Sequence, residues 1–504
     1  NHLKHGTSDL WLYLTLLFNA ILKHGAIPDD LTLSTVTPIP KNRKKSMNNS
    51  ANYRAIALSS IIGKLLDKIL ITKCRSALST SDYQFGFKAE HSTSLCTFVV
   101  EETVHHFVTR GSDVYVTLLD ATKAFDRVVY TRLFHTLISI GLCPVICRFL
   151  AIFYTKQKIR IRWGKDAGES VSIANGVKQG GVMSPLLFSL YFDGLLSRLE
   201  NSGVGCHVDG QFVGACAYAD DIVLLAPTQS ATSQLLNICR DYGEDYNVQF
   251  NPLKSKMIVY RNKLCDNVHL NENPNIEFMN DKIEVVNREK HLGNVIGNIT
   301  QSDKVSVIIL DFQKRVNMLK SHFCKNSIKC KYFLFKSFCM PLYGTQLIDL
   351  TSNAVNRFYV SCRKAIRYLF FLPWRTHSIL LPSICQDSSV DFQLIKRFFK
   401  FYKSIAHNKN SLIAKCHKLI LNGSGSAISN NLTLLNEKLD VNRFNVMHCN
   451  LSALKAPLFC TDDLCQGLAI RELHDMYINC TLSGTDDFFT ATEARELMNY
   501  ICTS

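Results

Sequence analysis

Two adjacent acids, Asp220 and Asp221, interrupt the run FVGACAYADDIVLLAP, which is apolar on both sides. A carboxylate beside buried strands loses solvation, and two together repel each other. Successive strand residues point to opposite faces, so the pair fits a tight turn that would present both acids to one cavity. A divalent cation there would offset the repulsion, although an ordinary exposed Asp-Asp turn is written with the same letters. Asp120 supplies a third acid, because the apolar stretch VYVTLLD (114–120) ends on it. Three carboxylates at strand ends form a hard-oxygen set suited to Mg²⁺, with Mn²⁺ as the substitute ion and with substrate phosphates and water completing the shell. Two such ions serve phosphoryl or nucleotidyl transfer, one acting on the attacking hydroxyl and the other on the leaving group.

Two further segments bear chemistry. In GVKQGGVMSP (176–185), Gly180 and Gly181 let the backbone approach a ligand, and Gln179 offers both a donor and an acceptor. Ser184-Pro185 suits a helix start. A generic glycine turn reads the same way. KIRIRW (158–163) alternates strictly, with Lys158, Arg160 and Arg162 on one face and Ile159, Ile161 and Trp163 on the other. It is either an amphipathic edge strand with a solvated basic face or a strand facing a phosphate backbone.

The elements that must position these residues follow from the hydrophobic pattern. Residues 8–24 have helical spacing with Ser8 as N-cap, and the apolar stretch Trp11 to Leu22 reads as a buried helix. LSTVTPIPK is a short strand, KNRKKSMNNSANYR a polar loop, and SSIIGKLLDKILITKCRSAL a helix. Helices are expected over 92–109, about 123–140 and 182–200, a hairpin over 212–227, a helix over SQLLNICRDYGEDYN and a strand over KSKMIVY. Residues 261–280 read as a loop or hairpin, and beyond about 300 the pattern is helical and basic.

A chain of 504 residues is too long for one ordinary core, and its 47% hydrophobic and 20% charged content excludes a disordered chain. The net charge of +15 fits a polyanionic partner. Nineteen scattered cysteines do not form the framework of a small secreted domain and point to a reducing compartment. The longest early apolar run falls short of the roughly twenty residues a membrane span needs, so no membrane partner is expected.

The order LLDATKAFDRV, GVKQGGVMSPLLF, YADD and FNPLKSKM resembles the successive motifs of reverse transcriptases, in the wording of the LINE-type, non-LTR retrotransposon branch. TPIPK (37–41), NYRAIALSS (52–60) and QFGFKAEHST (84–93) extend the likeness upstream. KHLGNVI (290–296) resembles the palm-to-thumb motif, and LYGTQLIDL and LFFLPWRTHSILLPSI resemble the tail of jockey-like elements. The sequence departs from the family pattern with Ala55 in place of Pro, Glu90 in place of Gly and Met183 in place of Leu.

The resemblance implies an α+β right-hand polymerase with a palm sheet, helical fingers and a helical thumb. The fingers would span 1–110, the palm with the remaining fingers elements 111–300, the thumb 301–400 and a helical C-terminal extension 401–504. Asp120, Asp220 and Asp221 match the catalytic metal ligands, and Phe125 the aromatic gate against a ribose 2′-hydroxyl. Gln179, Gly180, Lys41 and Arg54 match residues at the incoming nucleotide, and Lys254 the lysine facing pyrophosphate. Tyr218 and Ala219 would border the primer end, and Lys158, Arg160 and Arg162 the template–primer. The implied partners are an RNA template, a DNA primer and dNTPs, in the cytoplasm and nucleus. The chain opens on Asn1 with no endonuclease-like segment before the fingers, which reads as part of a longer element. Cys460, Cys465, His474 and Cys480 have a looser spacing than zinc sites use.

Overall fold

The computed structural model describes residues 5–44, 46–262, 274–378, 380–385, 388–440 and 445–449. They divide into two compact units. The first holds the chain up to Cys96 and Phe107–Val286, and the second holds Thr97–His106 and the chain from Asn287 onward.

The first unit opens with α1 (Ser8–His24), preceded by Thr7 at the N-cap position, so that Ser8 is the first helical residue. Its buried side chains are Leu14, Phe18 and Ile21, while Trp11, Leu12, Tyr13 and Leu16 are exposed. The expected buried helix is therefore an amphipathic one with a single inward stripe. After α2 (Asp29–Thr32) come β1 (Leu33–Pro40), β2 (Tyr53–Ser59), α3 (Ile61–Lys73) and α4 (Thr93–Thr109). The chain continues through β3 (Val114–Leu119), a 3-10 turn at Ala124–Arg127, α5 (Tyr130–Ser139), α6 (Pro144–Thr155), β4 (Lys158–Trp163) and β5 (Asp166–Ser172). The single helix expected over about 123–140 is thus two pieces. Lys123 takes a left-handed φ of 50° and Val128 and Val129 run extended between them, as β-branched residues prefer.

Strands β2-β1-β4-β5 form one sheet, in which the expected strand LSTVTPIPK is β1 and is joined by β2, which the polar loop and helix reading of 42–78 did not include. Strand β4 is internal there rather than at an edge. Its parallel pairing with β1 stops at Val36↔Ile161, which leaves Pro38 and Pro40, lacking N–H donors, beyond the shared ladder. Helix α7 (Ser184–Asn201), the short pair β6 (His207–Val208) and β7 (Gln211–Phe212), β8 (Ala215–Tyr218), β9 (Asp221–Ala226), α8 (Gln229–Tyr246) and β10 (Lys256–Tyr260) follow. The hairpin β11 (Glu277–Phe278) and β12 (Asp281–Lys282) and the strand β13 (Glu284–Val285) close the unit. The central sheet has the order β13-β10-β3-β9-β8. All six residues of β3 are buried, and α7 and α8 pack against the sheet. A continuous apolar run is what a strand covered on both faces requires.

The second unit contains the hairpin β14 (Arg288–His291) and β15 (Asn294–Gly297), then α9 (Gln301–Phe323), α10 (Ile328–Leu334) and α11 (Ala354–Leu369). Helices α12 (Leu380–Ile384), α13 (Val390–Ala406), α14 (Ser411–Leu421) and α15 (Ala427–Leu439) complete it. A capping box between Thr300 and Asp303 starts α9. The ring of Phe312 meets Phe335 and Phe358 edge-on in the core that α9 shares with α11. The part of α4 that belongs here contributes Glu101, paired with Lys304, and Phe98, edge-on to Phe401. No disulfide joins the cysteines of the described residues, and no helix among them is long and apolar enough to cross a membrane. Cys460, Cys465, His474 and Cys480 lie outside the described residues.

Candidate active site

The acids come together because of strand register. In the β8–β9 hairpin, Tyr218 pairs with Asp221, so Ala219 and Asp220 alone make the connection. Ala219 has φ 61°, the left-handed backbone that two-residue hairpins favour. On the neighbouring strand Leu119 pairs with Ile222, which brings Asp120, the next residue, beside Asp221. All three carboxylates therefore sit at one end of the central sheet.

The backbone of Asp120 is tied down on the other side. Its N–H donates to Ser255 Oγ (3.2 Å), and its carbonyl accepts from Asn251 N (2.9 Å), both in the FNPLKSK segment. Lys254 Nζ lies 3.6 Å from Asp120 Oδ2, an exposed ion pair of small worth. That Oδ2 is buried with no hydrogen-bond partner. Burial, and next the charges of Asp220 and Asp120, raise the Asp221 carboxyl to about 6. Burial and Asp120 also push Asp220 above its ordinary value, against a backbone hydrogen bond that lowers it. Hard oxygen donors, a buried oxygen that accepts no hydrogen bond and mutual repulsion are what a divalent cation would satisfy. Among the described residues no three His, Cys, Asp or Glu side chains are already drawn up as a metal cage.

A residue outside the sequence-derived set clasps the turn. Gln84 is fully buried; its Oε1 accepts from Ala219 N (2.9 Å) and Gly86 N (2.8 Å), and its Nε2 donates to Ala219 O (3.3 Å). Backbone bonds from Phe85 N to Ala217 O (2.7 Å) and from Ala217 N to Tyr83 O (2.8 Å) lay this segment along β8. A Cβ on Gly86 would come 2.4 Å from Ala219 N, so only glycine fits. The available signal was QFGF at the head of QFGFKAEHST, a family-like motif in which nothing singles out the glutamine.

Beside the acids lies a second cluster. The ring of Phe125 stacks on buried Phe188 (4.3 Å between centroids) and meets Phe87 edge-on at 6.5 Å. The 176–181 loop is stapled from both sides. Val177 N donates to Phe125 O (2.8 Å), Gly176 N to Val128 O (2.8 Å), and Ala57 N to Gln179 O (2.8 Å). Gly180 has φ 110°, and a Cβ there would sit 2.7 Å from Ala57 O. The Gln179 side chain points to Asp126, with Nε2 3.4 Å from Oδ1.

Lys178, next to Gln179, turns inward instead. It is buried with Nζ 3.3 Å from Thr32 O and over the Phe153 ring. Burial lowers its ammonium to about 8 despite Asp67, and burial raises Asp67 to about 6 despite Lys178. A lysine in a glycine loop gave no sign that it faces the core.

The four-stranded sheet gathers the basic residues. Thr35 pairs with Arg160 and with Leu58, and Ile39 pairs with Arg54. By the alternation of the pleat, Arg54, Lys158 and Arg160 share one face. Arg162 follows a register irregularity in the β4–β5 pairing. On the opposite face Ser34, Val36 and Ala57 are buried, but the β4 end is open, with Ile161 50% and Trp163 60% exposed. Trp163 packs against Tyr53 (5.4 Å between centroids). Lys41 is exposed at the far end of β1, its N–H donating to Asn52 O (2.6 Å). Within the second unit, a cleft along β14–β15 and α9 is lined by Lys290, Lys304, Lys314, Arg315 and Tyr343.

An acidic hairpin tip at the end of a mixed sheet, flanked by a glycine loop and an aromatic platform, is an arrangement suited to nucleotidyl transfer. Residues 39–329 match the family model "Reverse transcriptase (RNA-dependent DNA polymerase)", and the chain belongs to that family. The family generally uses divalent metal ions. Among curated proteins, the chain is 25% identical over 391 residues to the RNA-directed DNA polymerase from mobile element jockey of Drosophila melanogaster, covering 73% of this chain and 41% of that protein. It is 28% identical over 226 residues to the Pol polyprotein of retrotransposable element R2DM from the same organism, covering 45% and 21%. It is 23% identical over 431 residues to the probable RNA-directed DNA polymerase from transposon X-element of that fly, covering 81% and 45%. These relatives are of the non-LTR kind that the motifs resemble. The chain thus spans less than half the length of each. Apo telomerase from Candida tropicalis superposes with a TM-score of 0.40 at 13% identity, covering 89% of this chain and 75% of that one.

Proposed function

We propose that this chain is the RNA-directed DNA polymerase of a non-LTR retrotransposon, adding dNTPs to a primer 3′-hydroxyl on an RNA template. The observation that carries the proposal is the convergence of Asp120, Asp220 and Asp221 at one sheet end, with Phe125 in the 3-10 turn that follows Asp120 and Gln179 Nε2 3.4 Å from Asp126 of that turn. Asp120, Asp220 and Asp221 would hold two Mg²⁺ ions, or Mn²⁺ in their place. When bound, such ions activate the primer hydroxyl and stabilise the leaving pyrophosphate.

The chain's own residues do the rest. Gln179 and the Gly180 backbone receive the incoming nucleotide, and the Phe125 ring closes the space beside its 2′ carbon. Arg54, on the strand that holds the Gln179 carbonyl, and Lys41 contribute positive charge for the triphosphate, a planar fork and a point charge. Lys254, with Nζ 3.6 Å from Asp120 Oδ2, would give a proton to pyrophosphate. Tyr218 and Ala219 border the primer end, and Lys158, Arg160 and Arg162 grip the duplex through its backbone. The fingers–palm–thumb division belongs to the same reading. So do a nicked chromosomal primer and action in cytoplasm and nucleus.

The test is primer extension on poly(rA)/oligo(dT) with Mg²⁺, wild type against Asp220→Asn, together with duplex binding. Wild type should extend and the variant should fall by at least about a hundredfold, as for loss of a group that stabilises developing charge. Equal extension with retained duplex binding would leave a nucleic-acid-binding remnant and end the polymerase reading.

A further inference from the structure

We infer that Gln84 is a positioning residue of the active site: its side-chain amide holds Ala219 in the left-handed conformation that sets where Asp220 and Asp221 point. This rests on the polymerase reading of the acids and adds to it the device that keeps them in place.

The physical problem begins at Ala219. A two-residue hairpin needs positive φ at its tip, and glycine is the residue that takes it without penalty. Ala219 has φ 61° and a Cβ, so the turn carries a cost of order 1–2 kcal/mol that the surroundings must offset. The next residue is Asp220, so relaxation at Ala219 would swing the carboxylates directly.

Gln84 is built to oppose that relaxation. One amide makes a pair of bonds to one residue, accepting from Ala219 N at 2.9 Å and donating to Ala219 O at 3.3 Å. Together they fix both peptide groups that flank the Ala219 dihedrals. The amide is itself oriented by Gly86 N, 2.8 Å from the same Oε1, so its oxygen and nitrogen cannot exchange places without losing bonds. Full burial keeps water from competing for these groups. The isolated parallel bridge between Gln84 and Ala217 holds the amide in register.

The same segment reaches the second half of the site. Phe87, three residues on, takes φ 58° and meets the Phe125 ring. Residues 83–87 therefore brace the acidic turn at one end and the aromatic platform at the other. Gln84 itself touches no reacting atom.

The test uses Gln84→Met, which keeps length and volume and removes all three side-chain hydrogen bonds, and the double variant Gln84→Met with Ala219→Gly. Mn²⁺ binding by electron paramagnetic resonance and hydrogen exchange of the peptide spanning 215–222 are read without turnover. Primer extension is read separately. For Q84M we expect faster exchange in that peptide, Mn²⁺ affinity lowered about tenfold, and kcat lowered about tenfold with dNTP KM within about twofold, the scale seen when a residue orienting a metal ligand is lost. Glycine at 219 takes the turn unaided, so the double variant should recover at least half of each loss. Unchanged Mn²⁺ affinity and exchange in Q84M would overturn the inference, and so would a double variant as impaired as Q84M alone. If Q84M does not fold, the double variant must fold; should it also fail, Gln84 is a general packing residue. A wild type that extends no primer ends the polymerase reading but leaves the Mn²⁺ and exchange results to decide this one.

Discussion

Phe125 shows how one residue can carry a packing role and a selective role together. Its ring is half-buried, stacked 4.3 Å from Phe188, and its backbone carbonyl holds the glycine loop through Val177 N. A ring clamped this way cannot retreat from a bulkier sugar, so the stacking that looks structural is what would make a gate rigid. Phe125→Val should raise ribonucleotide incorporation relative to deoxynucleotide by at least about tenfold, the range a lost apolar wall produces. Unchanged sugar discrimination, with only a lowered melting temperature, would leave Phe125 as core. At this scale the acids were legible because each apolar strand stops on one. Gln84 was not, since an uncharged amide carries no sign of its use until a bridge to Ala217, distant in sequence, is formed. Glu90, where the family pattern has Gly, adopts φ 62°. The family's glycine thus marks a left-handed position that this chain fills at some cost.

Among the elements, β4 bears most directly on nucleic acid. Lys158 and Arg160 lie with Arg54 on one face of a sheet whose other face is buried at Ser34, Val36 and Ala57 but open at Ile161 and Trp163, so burial accounts for only part of the alternation of KIRIRW. Replacing Lys158, Arg160 and Arg162 with Gln should weaken template–primer binding and reduce the slope of log affinity against log salt by roughly one unit for each phosphate left without its cation. An unchanged slope, measured by fluorescence anisotropy across salt, would place this strand toward solvent. The apolar period gave β3, β9 and β10, which are covered on both faces. It missed β5 because DAGESVS is exposed along its whole length and has no stripe to read. It also merged the 3-10 turn with α5, since only the extended pair Val128–Val129 separates them.

At the scale of the whole molecule, one buried acid ties stability to pH. Glu102, on the part of α4 in the second unit, is 3% exposed, and burial above all raises its carboxyl to about 8 against an ordinary 4.5. A hydrogen bond from Ser426 lowers it only in part, and the neighbouring Glu101 raises it further. The folded state therefore keeps a proton that the unfolded chain releases above pH 4.5. The associated stability is fully present below that pH and is lost as pH rises toward 8, because ionisation favours the unfolded chain throughout the interval. The swing is on the order of a few kcal/mol for a group this buried. Nothing in the sequence marked Glu102, which sits in a helix beside another Glu and becomes buried only when α4 meets the Ser426 turn. Glu102→Gln keeps the shape and an acceptor for Ser426 but cannot ionise. Its melting temperature should match wild type near pH 5 and exceed it increasingly toward pH 8, by several degrees. Parallel melting curves across that range would instead mean that Glu102 is solvated in solution and does not govern the stability of this unit.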